Sequence, residues 1–325
     1  MCMVNLGILG CANIAERHIV PALKRLTGQY NIVGVGTRNK KRGELFKSKF
    51  NLSIYDNYES IVNNEAINAV YIPLPNSLHE EWIENSLKTK KHILVEKSLT
   101  TSFDAALRVN KIAEKQNLVL VENFQFRFHI QTKKIKQLLN DEEIGEIRNV
   151  RSTFCFPPFA NKENIRYQKK LGGGSLLDAG AYPVKVSQII LGDNLEVVDS
   201  NLYLDKTFGL DTWGNATLKC LNSSVCSQIA FGFDNFYQCN LEILGSRGKI
   251  TADRIFTSPP GSVSAIKLEN DNGTKIIKLE PCNHFENMLL YFYDLVKGKR
   301  NLKNEYVENI NQSRLINEIK EKTNR

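Results

Sequence analysis

The first 122 residues alternate short apolar runs with segments of helical periodicity, and this alternation restricts the possible folds more than any other feature. Val4–Leu9 and Asn31–Val35 are runs of strand length, whereas Lys41–Phe50 and Ser102–Lys115 have apolar residues at helical spacing. Strands that alternate with helices of this length form right-handed βαβ crossovers and a parallel sheet. The sequence therefore predicts a doubly wound Rossmann sheet, with helices on both faces, over residues 1–122.

The pattern changes after Phe124. A Gly-rich turn at 172–174 precedes the helical segment Ser175–Leu191, and strand-like runs follow between residues 195 and 279, separated by Asn, Gly, Asp and Ser turns. Short strands joined by such turns form antiparallel sheets. We therefore expect an α/β protein in which residues 123–325 form an α+β domain for substrate binding and oligomerisation, with a large, mostly antiparallel, open-faced sheet.

The net charge of the chain bears on its ligand. Lys and Arg number 43 against 35 Asp and Glu, which gives a net charge of +8. The basic residues are spread in small clusters, and no stripe of interleaved basic and aromatic residues suggests nucleic-acid binding. An anionic small molecule explains the excess at least as well. We predict a small-molecule substrate and no nucleic-acid partner.

Cysteine use and hydropathy exclude further classes of protein. The seven cysteines are scattered and form no CxxC motif, so neither a disulfide framework nor a metal site is expected. No stretch of about 18 uncharged apolar residues is present. The N-terminus lacks the basic segment and cleavage site of a signal peptide. We expect a cytoplasmic protein without membrane contact.

A candidate phosphate-binding loop lies between the first predicted strand and helix, and it comprises Gly10, Cys11, Ala12, Asn13 and Ile14. A dinucleotide pyrophosphate rests on a helix N-terminus at this place. The loop departs from the GxGxxG pattern because alanine occupies the second and third glycine positions, although alanine at the third is an accepted variant. Its place at the start of an alternating domain favours dinucleotide binding over a plain turn.

The end of the second predicted strand indicates which dinucleotide binds. An NAD site places Asp or Glu there for the ribose 2′-hydroxyl, whereas an NADP site needs groups for a 2′-phosphate. This chain has Thr37, Arg38 and Lys41 and no acid. Because Arg binds phosphate with two parallel hydrogen bonds, we predict NADP(H). A solvated basic turn is the alternative interpretation.

Two later segments carry residues suited to redox chemistry on a carbonyl group. Lys97 follows a predicted strand, at the edge where open α/β sheets bind ligands. Asp178 and Tyr182 are four residues apart in a predicted helix and share a face, with Gly180 between them. Each segment also has a structural interpretation, since a Lys at a strand end is often a surface charge and a helical Tyr often packs against a sheet.

Together these segments resemble the glucose–fructose oxidoreductase / inositol dehydrogenase family (Gfo/Idh/MocA) over nearly the whole chain. The matching motifs are Gly-Cys-x-x-Ile-Ala at 10–15, Pro-x-Pro-Asn-x-x-His at 73–79, Glu-Lys at 96–97, Asn-x-x-Phe-Arg-x-His at 123–129 and Gly-Gly-Gly-x-x-x-Asp-x-Gly-x-Tyr at 172–182. Ser98 stands where the family usually has Pro, so the local backbone can differ there.

The resemblance implies a set of site residues. Family members place the nicotinamide near the positions of Pro73, Asn76, His79, Glu96 and Asn123. The lysine that matches Lys97 contacts the reacting oxygen and also adjoins the cofactor. Tyr at 182, the stretch 164–167 and Ala12 look most similar to the NADP-dependent nucleotide-sugar 3-ketoreductases.

We therefore predict an NADPH-dependent oxidoreductase that reduces a keto group of a sugar, in particular the C-3 ketone of a nucleotide-linked deoxysugar. Tyr182 would act as general acid, and Lys97 would stabilise the developing alkoxide and favour the phenolate form of Tyr182. Asp178 would orient Lys97 or a sugar hydroxyl. The candidate substrate-binding residues are Arg127, Arg166 and Tyr167.

Two alternative functions stay open. The Tyr form of the motif also suits a dehydrogenase or reductase of free sugars, polyols or trans-dihydrodiols. A non-catalytic dinucleotide-sensing protein could share the fold, but it would be free to lose Lys97, Asp178 and Tyr182. Family members commonly pair their open sheets, so we expect a homodimer or homotetramer.

Overall fold

The computed structural model describes residues 3–323, and the first two and last two residues of the chain, at the outer ends of the predicted domains, lie outside that part. The chain divides into two compact units. The first unit extends to Asn123 and also includes Phe285–Ile310. The second unit comprises Phe124–His284 and the residues from Asn311 onward.

The first unit is built on a parallel sheet. Its strands are β1 (Val4–Leu9), β2 (Tyr30–Gly36), β3 (Ile54–Tyr55), β4 (Ala69–Ile72), β5 (His92–Glu96) and β6 (Leu120–Asn123). Its helices are α1 (Val20–Arg25), which continues a π-helical turn at Ala15–Ile19, α2 (Lys40–Phe50), α3 (Glu59–Val62), α4 (Asn76–Lys88) and α5 (Phe103–Lys115). The strand order is β3-β2-β1-β4-β5-β6 and every pair is parallel, which confirms the predicted Rossmann sheet.

The central strands of this sheet are buried on both faces. Successive residues, whose side chains point to opposite faces, have no exposed surface: Ile8 and Leu9 of β1, Val70 and Tyr71 of β4, and Leu94 and Val95 of β5. Helices on both sides of a parallel sheet produce this pattern, and it explains the almost continuous apolar runs in the sequence. The short strand β3 and the short helix α3 were not predicted, because neither is long enough to show a period.

A segment from the C-terminal part of the chain completes the first unit. It consists of most of α8 (His284–Val296) and the beginning of α9 (Lys303–Thr323). Tyr30 Oη donates a hydrogen bond to the Leu289 carbonyl at 2.6 Å. The predicted second domain, residues 123–325, included this segment, which the structure places in the first unit. Periodicity shows which face of a helix is apolar and not which sheet covers it.

The second unit is built on a larger sheet. Its strands are β7 (Ile147–Cys155), β8 (Leu195–Asp205), β9 (Leu210–Cys220), β10 (Cys226–Gly232), β11 (Gln238–Gly245), β12 (Gly248–Asp253), β13 (Ser264–Asn270) and β14 (Gly273–Leu279). Its other helices are α6 (Ile130–Asn140) and α7 (Ala181–Leu191), which follows a π-helical turn at Leu176–Gly180. The order is β14-β13-β12-β11-β7-β10-β9-β8. The predicted sheet is mostly antiparallel, as expected, but β7 and β10 pair in parallel at its centre.

The two faces of this sheet differ in polarity. One face contributes Val150, Ile229, Phe231 and Leu241 to a core that also includes residues of α6, α7 and α9. The other face carries polar side chains such as exposed Arg151, which is ion-paired with Glu242. In the part of the chain that is described, no helix combines the length and hydropathy needed to cross a membrane.

Candidate functional site

The phosphate-binding loop begins at a glycine that the backbone requires. Gly10 follows β1 with φ of +104°, a conformation that side chains other than glycine rarely adopt. A Cβ atom at this position would lie 2.9 Å from Cδ2 of Leu74. The Gly10 amide donates to the Gly36 carbonyl at 2.8 Å, which joins the ends of β1 and β2.

The loop leads directly into a helix. Glu16 donates its amide to the Ala12 carbonyl at 3.0 Å, so the first helical turn includes Asn13 and Ile14. The first amides of a helix have no partner within the helix and attract anions. The predicted pyrophosphate-binding residues therefore stand at a helix N-terminus.

Arg42 of α2 holds this loop and was missed in the sequence. Its guanidinium donates to the Cys11 carbonyl from Nε at 3.1 Å and from Nη2 at 2.8 Å, and it also contacts Asn13 Oδ1 and Glu16 Oε2. Burial raises the pKa of the Cys11 thiol, although Thr37 and Arg42 oppose this. The only sequence signal near Arg42 is Asn39, a residue type that often begins a helix. Its side chain caps α2 by accepting from the Arg42 amide.

The predicted 2′-phosphate residues lie at the end of β2. Thr37 is buried, and its Oγ1 accepts from the Asn39 amide at 3.1 Å. Arg38 is exposed, and its guanidinium carbon lies 5.1 Å from the centre of the Tyr58 ring. Lys41 is exposed in the first turn of α2. These cations are available to an anionic group in solvent, and stacking on an aromatic ring orients the guanidinium.

The ends of β4, β5 and β6 are joined through one carboxylate. Glu96 Oε1 accepts from Tyr71 Oη at 2.6 Å and from Asn123 Nδ2 at 2.7 Å. Burial raises the pKa of Glu96, and the two donors work against this increase. Tyr71 lies in the buried strand β4. Its role could not be predicted, because the pairing joins residues that are far apart in the sequence.

Asn123 also offers an acceptor toward a ligand. Its Oδ1 atom is buried and has no hydrogen-bond partner within residues 3–323. A buried amide oxygen without a partner is costly, and a ligand N–H group would satisfy it. The carboxamide of a nicotinamide carries such a donor, so the group predicted to bind here fits the residues present.

His79 joins the loops that follow β4 and β5. Its Nδ1 lies 2.7 Å from the Ser98 carbonyl and its Nε2 lies 2.8 Å from the Leu74 carbonyl, and the side chain is fully buried. Burial lowers its pKa to about 4. His79 therefore holds the loop after β4, which carries Pro73 and leads into α4 at Asn76, to the loop after β5, which carries Lys97.

In the second unit, Tyr182 lies among four phenylalanine rings. Its ring centre is 5.6 Å from Phe124, 5.9 Å from Phe126, 5.1 Å from Phe154 and 5.6 Å from Phe256. We call these four residues the Tyr182 cage. The side chain is 9% exposed, so the cage leaves little of the phenol to solvent. Rings held at such distances fix the orientation of the phenol.

An ion pair lies one turn before Tyr182. Arg166 Nε donates to Asp178 Oδ2 at 2.5 Å, and the guanidinium carbon lies 4.7 Å from the Phe159 ring centre. Burial disfavours the charge on Arg166, but Asp178 outweighs it and raises the Arg166 pKa, with a smaller contribution from Tyr182. The structure thus brings three of the predicted site residues, Arg166, Asp178 and Tyr182, close together in the second unit.

The other predicted substrate residues have different surroundings. Tyr167 is buried against Phe233 and Leu210, and its Oη accepts from the Phe159 amide at 3.0 Å, so it supports the loop at 157–171. Arg127 is partly exposed, with its guanidinium carbon 5.3 Å from the Phe128 ring centre.

Asp211 holds the start of the Tyr182 helix and was missed in the sequence. Its Oδ2 accepts from Ser175 Oγ at 2.7 Å and from the Leu176 amide at 2.6 Å. A Cβ at Gly174, where φ is +113°, would lie 2.5 Å from Asp211 Oδ1. A Cβ at Gly180 would lie 3.0 Å from the Phe231 ring, which explains the glycine between Asp178 and Tyr182.

A metal ion is held by several ligating side chains that lie close together. Across residues 3–323, no group of three or more His, Cys, Asp or Glu side chains is arranged to hold a metal ion.

Comparison with known proteins identifies the family of this chain. Residues 4–124 match the oxidoreductase family with an NAD-binding Rossmann fold, and residues 132–251 match the GFO/IDH/MocA C-terminal domain. The chain is 32% identical to a dTDP-3,4-didehydro-2,6-dideoxy-alpha-D-glucose 3-reductase from Actinomadura kijaniata, over 98% of this chain and 95% of that protein. An enzyme of the same name from Saccharopolyspora spinosa is 35% identical over 82% of this chain and 79% of its own length.

A solved structure extends the likeness to three dimensions. It is a 3-ketoreductase from Actinomadura kijaniata in complex with NADP and TDP-benzene, with a TM-score of 0.93 and 30% identity. The match covers 99% of this chain and 98% of that one. The resemblance predicted from the motifs is confirmed, and this chain belongs to the Gfo/Idh/MocA family of oxidoreductases.

Proposed function

We propose that this oxidoreductase uses NADPH to reduce the C-3 ketone of a nucleotide-linked deoxysugar. The observation that carries the proposal is its likeness to the dTDP-sugar 3-reductases over 98% of the chain, with Lys97, Asp178 and Tyr182 present. A sensor that only binds a dinucleotide would not need these three side chains together.

The residues that would hold the cofactor come from the first unit. The loop from Gly10 to Ile14 would bind the pyrophosphate, and Thr37, Arg38 and Lys41 would bind the 2′-phosphate. Asn123 Oδ1 would accept from the carboxamide. When bound, NADPH supplies the hydride. The absence of Asp or Glu at the end of β2 supports a preference for NADPH over NADH.

Reduction of the ketone adds a hydride to carbon and a proton to oxygen. Tyr182 would donate that proton, and Lys97 would stabilise the negative charge that develops on the oxygen. The Tyr182 cage would keep water from the phenol and hold it in one orientation. Asp178 would act through its ion pair with Arg166, which fixes the turn that leads to Tyr182.

We also propose how the chain assembles and where it works. The polar outer face of the eight-stranded sheet would pair with a second copy, giving a homodimer or homotetramer. We expect the protein to work in the cytoplasm. The six cysteines among the described residues are free thiols, as is usual in that reducing compartment.

The test is turnover of dTDP-3,4-didehydro-2,6-dideoxy-D-glucose by the purified protein, followed by loss of NADPH absorbance. We expect reduction with NADPH, slower reduction with NADH, and little activity on the free keto sugar. Tyr182→Phe should retain NADPH binding and lose about a hundredfold or more in kcat, because a general acid contributes about that factor. Equal turnover of free sugars or trans-dihydrodiols would favour the alternative activity, and NADPH binding without any turnover would favour a sensor.

A further inference from the structure

A group of side chains at one end of the second unit's sheet has no role in the reaction described above. It consists of Phe236, Tyr237, Arg254 and Thr257, which we call the rim cluster. Phe236 is 84% exposed, more than any other large hydrophobic residue in the described chain. A ring with this much exposed surface gains no hydrophobic stabilisation within the chain, and its face is open to a ligand.

The rim cluster lies at the same end of the sheet as Tyr182. Gly232 of β10 and Gln238 of β11 both pair with Cys155, so the segment between them, which contains Phe236 and Tyr237, adjoins the end of β7. The Asn235 amide donates to the Phe156 carbonyl at 3.2 Å and holds this segment in place.

A second connection runs through the segment after β12. Thr257 directly follows Phe256, which belongs to the Tyr182 cage with its ring centre 5.6 Å from that of Tyr182. Thr257 Oγ1 lies 3.2 Å from Tyr237 Oη and 3.4 Å from Cys239 Sγ. The hydroxyl groups of the rim cluster are therefore neighbours of the cage.

The rim cluster combines three kinds of group. The guanidinium carbon of Arg254 lies 5.9 Å from the Tyr237 ring centre. Arg254 has φ of +52°, an uncommon conformation for a residue with a long side chain. The exposed ring of Phe236 adds an aromatic face. A cation, two hydroxyls and an open ring face are the groups that bind phosphate oxygens and a nucleobase.

We propose that the rim cluster is the subsite for the nucleoside diphosphate part of the substrate. Arg254 binds the diphosphate together with the hydroxyls of Tyr237 and Thr257, and the base stacks on Phe236. This inference rests on the proposed function, since it assigns the recognition of a nucleotide-linked sugar. It also gives a role to the exposed ring of Phe236 and to the exposed Arg254.

The experiment measures dTDP binding to the full-length protein by calorimetry, in the presence of NADPH. Arg254→Met and Phe236→Ala each remove one recognition element. Arg151→Met and Tyr203→Ala are matched controls, because Arg151 and Tyr203 are also well exposed and lie outside the rim cluster. We expect the dissociation constant for dTDP to rise about tenfold or more in Arg254→Met and about fivefold in Phe236→Ala, with both controls within about twofold.

A second readout separates this inference from the proposed reaction. The two rim variants should bind NADPH as the wild type does, while KM for the keto-sugar nucleotide rises more than kcat falls. If the wild type binds dTDP and both rim variants bind it equally well, the inference is wrong and the proposed reaction stands. If the rim variants lose dTDP but the wild type reduces no keto-sugar nucleotide, the reaction is wrong and the subsite stands.

Two further outcomes would overturn the inference. Wild-type protein that binds neither dTDP nor UDP would leave the rim cluster without a nucleotide. A change in sedimentation of Phe236→Ala, with dTDP binding intact, would identify the exposed ring as a contact between copies of the chain.

Discussion

Arg166 and Asp178 form an ion pair with a 2.5 Å contact between Nε and Oδ2. It joins the loop at 157–171 to the π-helical turn that leads into Tyr182. The carboxylate side chain is only 13% exposed, so little solvent screens the pair. In the second unit, two residues expected to contact substrate also hold each other in place.

Replacement of Asp178 by Asn should therefore lower the free energy of unfolding as well as the turnover rate. The guanidinium would lose its counter-charge in a largely buried place, at a cost of about 1–3 kcal/mol. Urea unfolding measures this loss without reference to catalysis. Glu146→Gln breaks the exposed pair with Arg148 and should cost less than about 0.5 kcal/mol. Equal losses in the two variants would contradict the prediction.

Arg38 and Arg42 should differ in their effect on cofactor choice. Arg38→Ala removes an exposed cation and should weaken NADPH binding about tenfold or more with little effect on NADH. Arg42→Ala removes the hydrogen bonds to the Cys11 carbonyl, so it should weaken both dinucleotides by a similar factor.

Fluorescence titration of each variant with NADPH and NADH gives the four dissociation constants. Lys47→Ala is the control, since it removes one exposed positive charge from α2 away from its first turn. An Arg38→Ala protein that still prefers NADPH by the wild-type factor would refute the 2′-phosphate assignment.

Gly174→Ala should be strongly destabilising. The new Cβ would lie 2.5 Å from Asp211 Oδ1, and the residue has φ of +113°. Steric displacement of the helix cap adds to the backbone strain, so we expect a loss of more than about 2 kcal/mol in thermal or urea unfolding. Gly192→Ala is the control, because Gly192 also has positive φ, +84°, but a Cβ there would meet nothing within 4 Å. A loss no greater than that of the control would show that the cap tolerates displacement.

His79 should make the protein less stable in mild acid. Burial lowers its pKa from 6.5 to about 4, so between these values the unfolded chain binds a proton that the folded chain does not. The free energy of unfolding should therefore fall as pH falls through this window, by up to about 1.4 kcal/mol per pH unit for this one group. The stability is fully present above the unfolded pKa.

The measurement compares urea unfolding of wild type and His79→Gln across that pH range. His18, His92 and His129 also have a pKa lowered by burial and contribute to the wild-type slope. The difference between the two proteins isolates His79, and the variant should show the shallower slope. Parallel slopes would mean that His79 does not titrate in this way.

The sequence predicted the first unit's sheet because its signals are local. Most strands of that sheet are short apolar runs followed by a helix, as Val4–Leu9 illustrates. The second sheet was predicted only in outline. The parallel pairing of β7 with β10 joins strands about 70 residues apart, and alternation along a strand does not reveal its neighbour.

The same distinction applies to the candidate site. Gly10, Arg38 and Tyr182 stand out because their motifs are contiguous. Arg42 and Asp211 act on residues distant in the sequence, and no contiguous pattern records this. The catalytic roles of Lys97 and Tyr182 stay predictions until turnover is measured.

The return of Phe285–Ile310 to the first unit has a consequence for synthesis of the chain. The strands of the parallel sheet leave the ribosome first, but Tyr30 meets its acceptor, the Leu289 carbonyl, only after about 160 further residues beyond β6 have been made. The second unit's sheet is complete by Leu279, before α8 emerges. The first unit is therefore completed only after the second unit's sheet has been made, and a nascent chain must carry an incompletely covered parallel sheet until then.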